Sequence, residues 1–167
     1  LYNRCKDSKI CLLFNNHLYE EAISRMDIRY SCNQRDFKRY TTEETRNEML
    51  ITGLYKADEM VAVYSHVDRM VTLGCMPVHE EVSIDKERRE IGIFNIGDGA
   101  GTVTADGKEY HLNYKDCLYL TKGNQKVTFK SDDPEHPAKF YMVSAPAHCS
   151  YENKLITIEQ AAKRPLG

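Results

Sequence analysis

From residue 60 onward, apolar and polar residues alternate with a period of two over most of the chain, in short runs broken by turn-forming residues. Successive side chains of a strand point to opposite faces, so these runs predict half-buried strands. They fall at 60–65, 69–73, 90–96, 101–104, 109–112, 117–120, 126–130 and 139–144. Asp106 and Gly107, set between two alternating runs, predict a tight hairpin turn in which both central residues take positive φ. Glycine reaches that region at least steric cost. Many short strands with frequent turns imply a mainly β barrel or sandwich. Helical patterning is confined to the flanks. Thr41 or Thr42 can cap a helix with Glu43 and Glu44 in its first turn, and Gly53 is expected to end it. A second helix is predicted from Thr157 and stopped by Pro165. A short amphipathic one is predicted over residues 17–25.

A length of 167 residues fits one domain, or one domain plus an arm. The first residue is Leu1, and residues 1–25 differ in composition from the rest of the chain. They read as an extension of unclear origin, with Met26 as a natural start and a single domain over 26–167. Net charge is −2, and Lys and Arg are scattered instead of clustered, which argues against nucleic acid as partner. No apolar run approaches a membrane span, and Cys11-Leu12-Leu13-Phe14 is too short for a signal-peptide core. The expected location is therefore cytoplasmic, with no membrane partner. Six cysteines without close pairs give neither a disulfide framework nor a zinc ribbon. Cys117, inside an apolar run, is expected to be a small buried hydrophobe.

The stretch 90–126 resembles the frame of a cupin, an RmlC-like jelly-roll barrel, here with short flanking helices. Glu90 is followed by six residues and Gly97, then by Gly99, Gly101, the Asp106-Gly107 turn and Gly123. Metal-binding cupins place a His-x-His pair shortly before such a Glu and a further His after such a Gly. Here the pair falls on Ser83 and Asp85, or on Ile84 and Lys86, and the later position is Lys126. A charged ammonium has donors only and cannot act as a ligand. Glu90 alone holds neither zinc nor iron, so no metal is expected on this chain's own residues. Gly97, Gly99 and Gly101 are read as turn glycines, because no helix follows them as a dinucleotide fingerprint requires.

The segments TRNEMLI, YSHVDRM, ERREIGIFNIG, GDGAGTVTADG and PAKFYMVSAPAH occur in this order. Together they resemble the N-terminal half of the 5-keto-4-deoxyuronate isomerases, also called 4-deoxy-L-threo-5-hexosulose-uronate ketol-isomerases. The resemblance runs from about Met26 to the end of the chain. It implies an intramolecular oxidoreductase that interconverts 5-dehydro-4-deoxy-D-glucuronate and 3-deoxy-D-glycero-2,5-hexodiulosonate in pectin and uronate catabolism. It also implies a homo-oligomer of chains with two cupin-like halves, and a zinc ion whose ligands belong to the C-terminal half, beyond Gly167. Between Ile84 and Glu87 the family usually carries additional residues that this sequence lacks. The alternative is a catalytically silent cupin domain for sugar-acid binding, assembly or regulation.

An aldose–ketose isomerisation needs a base near a carbon-bound proton and a Lewis acid or donor on the oxygens. Alternation in YSHVDRM is expected to put Tyr64, His66 and Asp68 on one side of a strand, with Arg69 available to a carboxylate. His66, Asp68 and Glu90 are the candidate catalytic groups; Tyr64, Arg69, Arg89 and Lys126 are the candidate substrate contacts. Each has a structural alternative: a polar network at a strand end for the first cluster, internal pairing for Arg88, Arg89 and Glu90, and an outward strand position or a pairing with Glu90 for Lys126. Glu90 could face the barrel interior as cupin ligands do. His79, beside Glu80 and Glu81, reads as part of a solvated loop; His111 and His148 are ambiguous.

Overall fold

Period-two alternation decides which side of each strand is buried in the computed structural model, which describes residues 26–123 and 126–162. In chain order the elements are β1 (Asp27–Arg29), α1 (Gln34–Phe37), α2 (Thr42–Met49), β2 (Met60–Ser65), β3 (Val71–Cys75), β4 (Val82–Asp85) and β5 (Arg89–Asn95). They continue with β6 (Gly101–Ala105), β7 (Lys108–Leu112), β8 (Cys117–Leu120), β9 (Lys126–Ser131), β10 (Phe140–Pro146) and β11 (Lys154–Ile156). A seven-stranded sheet runs β1-β2-β3-β10-β5-β8-β11, and a four-stranded sheet runs β4-β9-β6-β7. The two are not closed into one hydrogen-bonded barrel; they pack around one shared core in a jelly-roll-like arrangement.

That core comes from one face of each sheet. Val71, Ile91, Ile93, Leu118, Leu120, Phe140 and Met142 of the large sheet meet Val103, Leu112, Val127 and Phe129 of the small one. The Phe129 and Phe140 rings stand 5.3 Å apart between centroids, bridging the sheets. Each such side chain contributes about 1.5–3 kcal/mol on burial. At the hairpin between β6 and β7, Asp106 takes φ 49° and Gly107 φ 79°, as the sequence predicts.

The glycines of the Gly97 to Gly101 stretch act by close approach more than by unusual φ. A Cβ on Gly99 would overlap the His136 carbonyl oxygen, and one on Gly101 would lie 2.6 Å from the Lys130 oxygen and 2.8 Å from the Ala138 Cβ. Asn95, fully buried, clips this stretch: its Nδ2 donates to the carbonyls of Gly99 at 2.8 Å and Leu112 at 3.0 Å, and its Oδ1 accepts from Gly97 N–H at 3.0 Å.

Several expectations change. α2 has the predicted start, a capping box between Thr41 and Glu44, but ends at Met49 with Leu50 already extended, before Gly53. It buries no side chain, so the cap holds it and nothing carries it further. Residues 157–162 form a turn instead of a helix, because Asp116 Oδ1 accepts the Ile158 N–H at 2.9 Å and Gln160 N–H bonds back to the Thr157 oxygen at 3.0 Å. Cys117 is half-buried on the outer face of β8 beside Tyr119, whereas Cys75 is the fully buried thiol. The short strands β1, β4 and β11 are absent from the sequence expectation; β1 and β11 are three-residue edges, too brief to show a period. The helix expected over residues 17–25 lies outside the described residues.

The link between β4 and β5 is only 86–88, yet it is well anchored. Lys86 Nζ donates to the carbonyls of Arg89, at 3.1 Å, and Thr121, and Gly123 N–H donates to the Glu87 oxygen at 2.8 Å. β4 of the small sheet is thereby joined directly to β5 of the large one.

Candidate functional site

Strand β5 alternates its faces from Arg89 to Asn95, with Arg89, Ile91, Ile93 and Asn95 inward and Glu90, Gly92 and Phe94 outward. Glu90, counted by spacing as the cupin ligand, therefore faces away from the core. It accepts a hydrogen bond from the Tyr119 hydroxyl at 2.7 Å on the outer face of the large sheet. Arg89 takes the inward position instead. Its side chain is 4% exposed. Nε donates to Ser144 Oγ at 3.1 Å, and Nη2 donates to the Ser144 carbonyl at 2.8 Å and to the Arg69 carbonyl at 2.6 Å. Ser144 Oγ in turn donates to the Glu90 carbonyl at 2.8 Å. Burial lowers the Arg89 pKa, an effect that nearby Tyr64 opposes and Arg69 reinforces.

The YSHVDRM segment departs from its predicted geometry. β2 stops at Ser65, so His66 and Asp68 lie on a turn and do not share a strand face with Tyr64. Asp68 and Arg69 take φ 52° and 53°, and Met70 N–H bonds to the Val67 oxygen at 3.3 Å, the pattern of a primed type I hairpin turn. Tyr64 and His66 nonetheless touch: the imidazole meets the Tyr64 ring edge-on at 5.2 Å and stacks on Tyr30 at 4.8 Å. His66 N–H donates to the Arg29 oxygen at 2.9 Å, which ties β1 to the turn. Asp68 and Arg69 have exposed side chains. The structure thus brings Tyr64, Arg69 and Arg89 to one end of the large sheet, with His66 beside Tyr64, and leaves Glu90 on the other face.

Lys126, at the position of the later cupin histidine, is exposed on the outer face of β9 with Thr128 and Lys130, in register with Asp85. Of the two pairs proposed for the missing histidines, Ser83 and Asp85 are exposed, whereas Ile84 is half-buried and Lys86 buried. Burial pulls the Lys86 ammonium down to about 8, against the opposing pull of Asp106 and Glu90. Lys86 and Ser144 are the polar positions that sequence reasoning undervalues. For Ser144 a signal is present: it shares the inward face of β10 with Phe140 and Met142.

The remaining histidines stand apart. His79 N–H is one of three backbone donors to Asp58 Oδ1, at 2.8 Å. His111 Nδ1 lies 3.4 Å from Asp132, and the His148 carbonyl accepts from Lys122. Among the described residues no three His, Cys, Asp or Glu side chains are grouped to hold a metal ion. With Arg89, Ile91 and Ile93 on the inward face of β5, the side chains of that face do not fit zinc.

The KduI/IolB family model matches residues 40–167. Over 152 residues the chain is 43% identical to a 4-deoxy-L-threo-5-hexosulose-uronate ketol-isomerase of Shouchella clausii, covering 85% of this chain and 55% of that protein. Over 148 residues it is 44% identical to the enzyme of the same name from Lachnospira eligens, covering 83% and 52%. The Escherichia coli O45:K1 enzyme of that name is 42% identical over 154 residues, covering 85% and 55%. The chain thus spans about half the length of these relatives. Among solved structures, a cupin domain of an XRE family transcriptional regulator from Enterobacter cloacae aligns with TM-score 0.45 and 10% identity, covering 53% of this chain and 98% of that one. A Salmonella typhimurium structure described as a putative ethanolamine utilization protein aligns at TM-score 0.41 and 15% identity, covering 53% and 69%. With the family model spanning most of its length, the chain belongs to the KduI/IolB family.

Proposed function

We propose that this chain is the scaffolding, N-terminal cupin half of a uronate ketol-isomerase, with the metal-dependent chemistry assigned to a second half of the kind its relatives possess. The observation that carries this reading is the filled interior. Ile91, Ile93, Leu118, Leu120, Phe129, Phe140 and Met142 occupy the inner faces at 0–1% exposure, and none of them offers an oxygen, imidazole or thiolate donor to a Lewis acid. Moving a hydrogen between adjacent carbons needs a Lewis acid or donor on the oxygens, so catalysis depends on residues outside this core. Zinc, where the full enzyme uses it, is supplied by ligands beyond these residues. The relatives' shared name supports a small uronate as the substrate class. Homo-oligomeric assembly and a cytoplasmic location complete the reading; among the described residues no helix is long and apolar enough to cross a membrane.

The test is a chimera in which this chain replaces the corresponding half of the Shouchella clausii enzyme. Zinc in the chimera and isomerisation of the deoxy-keto-uronate are expected. A folded, zinc-loaded chimera without turnover would contradict the scaffold role.

A further inference from the structure

Arg89 carries a buried charge. Its three hydrogen bonds go to the neutral oxygens of Ser144 and Arg69. Among the described residues no Asp or Glu lies within ion-pair distance of it, in contrast to Arg29, whose Nη2 meets Asp27 at 2.7 Å. Nη1 makes no hydrogen bond among the described residues. A buried guanidinium is costly unless paired, and Arg is the side chain whose donors suit a carboxylate.

A second observation converges on the same place. The β2–β3 hairpin turn puts Asp68 and Arg69 in the left-handed region, where glycine or asparagine is the usual occupant. Strain of this kind tends to persist where surrounding contacts require it, and clusters at ligand clamps. Here the strained turn aims the Arg69 carbonyl at Arg89, while the Arg69 side chain remains exposed at the rim. Tyr64, one residue before the end of β2, is in register with Val71 and through it with Ser144, the hydrogen-bond partner of Arg89.

We infer that Arg89, Arg69 and Tyr64 form a carboxylate-binding site for a sugar acid at this end of the large sheet, separate from the filled core. Arg89 supplies the fixed donor from below, Arg69 closes over the anion from the rim, and the Tyr64 hydroxyl is available to the second oxygen or a ring hydroxyl. The choice of a sugar acid over other carboxylates rests on the uronate reading above; the site itself rests on a buried guanidinium that meets no carboxylate among the described residues.

The experiment is a titration of the 167-residue chain, labelled with nitrogen-15 in arginine, with D-galacturonate and, separately, with neutral D-galactose at matched ionic strength. A saturable shift of the Arg89 Nε–H resonance with galacturonate but not galactose is expected. Arg69→Gly keeps the carbonyl that Arg89 needs and relieves the left-handed backbone. It should therefore keep or raise the thermal midpoint while weakening galacturonate at least about fivefold. No shift up to about 50 mM galacturonate, an equal response to galactose, or unchanged affinity in Arg69→Gly would overturn the site. None of these results would alter the metal content or turnover on which the scaffold reading depends.

Discussion

Replacing Lys86 with methionine separates a buried charge from the hydrogen bonds it makes. The ammonium sits inside the β4–β5 link, donating to the carbonyls of Arg89 and Thr121, and burial pulls its pKa from the ordinary 10.5 to about 8. That drop corresponds to about 3 kcal/mol of penalty on the charged form. Screening by nearby water reduces it to about 1–2 kcal/mol. Below pH 8 both the folded and the unfolded chain hold the proton, so the penalty is fully present. Between about 8 and 10.5 the unfolded chain keeps a proton that the folded chain has lost, and stability rises with pH across that window. Lys86→Met has no such group. Urea unfolding followed by circular dichroism from pH 7 to pH 10 should therefore show the native chain gaining about 1–2 kcal/mol relative to the variant. At pH 7 itself the two effects of the substitution oppose each other: the desolvated charge disappears, but two carbonyls lose their donor, each at about 1–3 kcal/mol. Only the pH slope isolates the charge. Parallel stability curves, or a native chain that loses ground as pH rises, would refute the argument.

Other substitutions test the packing and the local structure. Gly101→Ala should lower stability by about 1–3 kcal/mol in chemical denaturation, because the new methyl meets the Lys130 oxygen, the Ala138 Cβ and the Phe140 ring, each within 2.8 Å. Gly107→Ala meets nothing within 4 Å, so its cost, about 1 kcal/mol by the same assay, comes from the positive φ alone. Thr41→Ala removes the cap of a helix that buries no side chain; amide exchange over residues 42–49 should accelerate while the global unfolding midpoint stays within about 0.5 kcal/mol.

Period is legible in the sequence; the point at which each period stops is not. β2 and β8 match their predicted spans because alternation and turn residues agree there. The same alternation, carried past Ser65, places His66 and Asp68 on a strand that has already ended. The turn that ends it contains Val67, Asp68, Arg69 and Met70, with no glycine or asparagine to announce it. Counting along the cupin frame identifies β5 but assigns its inward position to Glu90, whereas the pleat gives it to Arg89. One residue of offset reverses every face, so spacing to a motif is weaker evidence than parity with Ile91 and Ile93. The turn at 157–162 depends on Asp116, more than forty residues earlier, a tertiary contact that no local pattern contains.

The central claim is that this half scaffolds and does not itself assemble the metal-dependent site. Elemental analysis of the purified 167-residue chain, coupled to an assay of deoxy-keto-uronate isomerisation, tests it most directly. The predicted result is no stoichiometric zinc and no turnover above background. One tightly held zinc per chain, with isomerase activity lost on chelation and restored on adding the metal back, would contradict it.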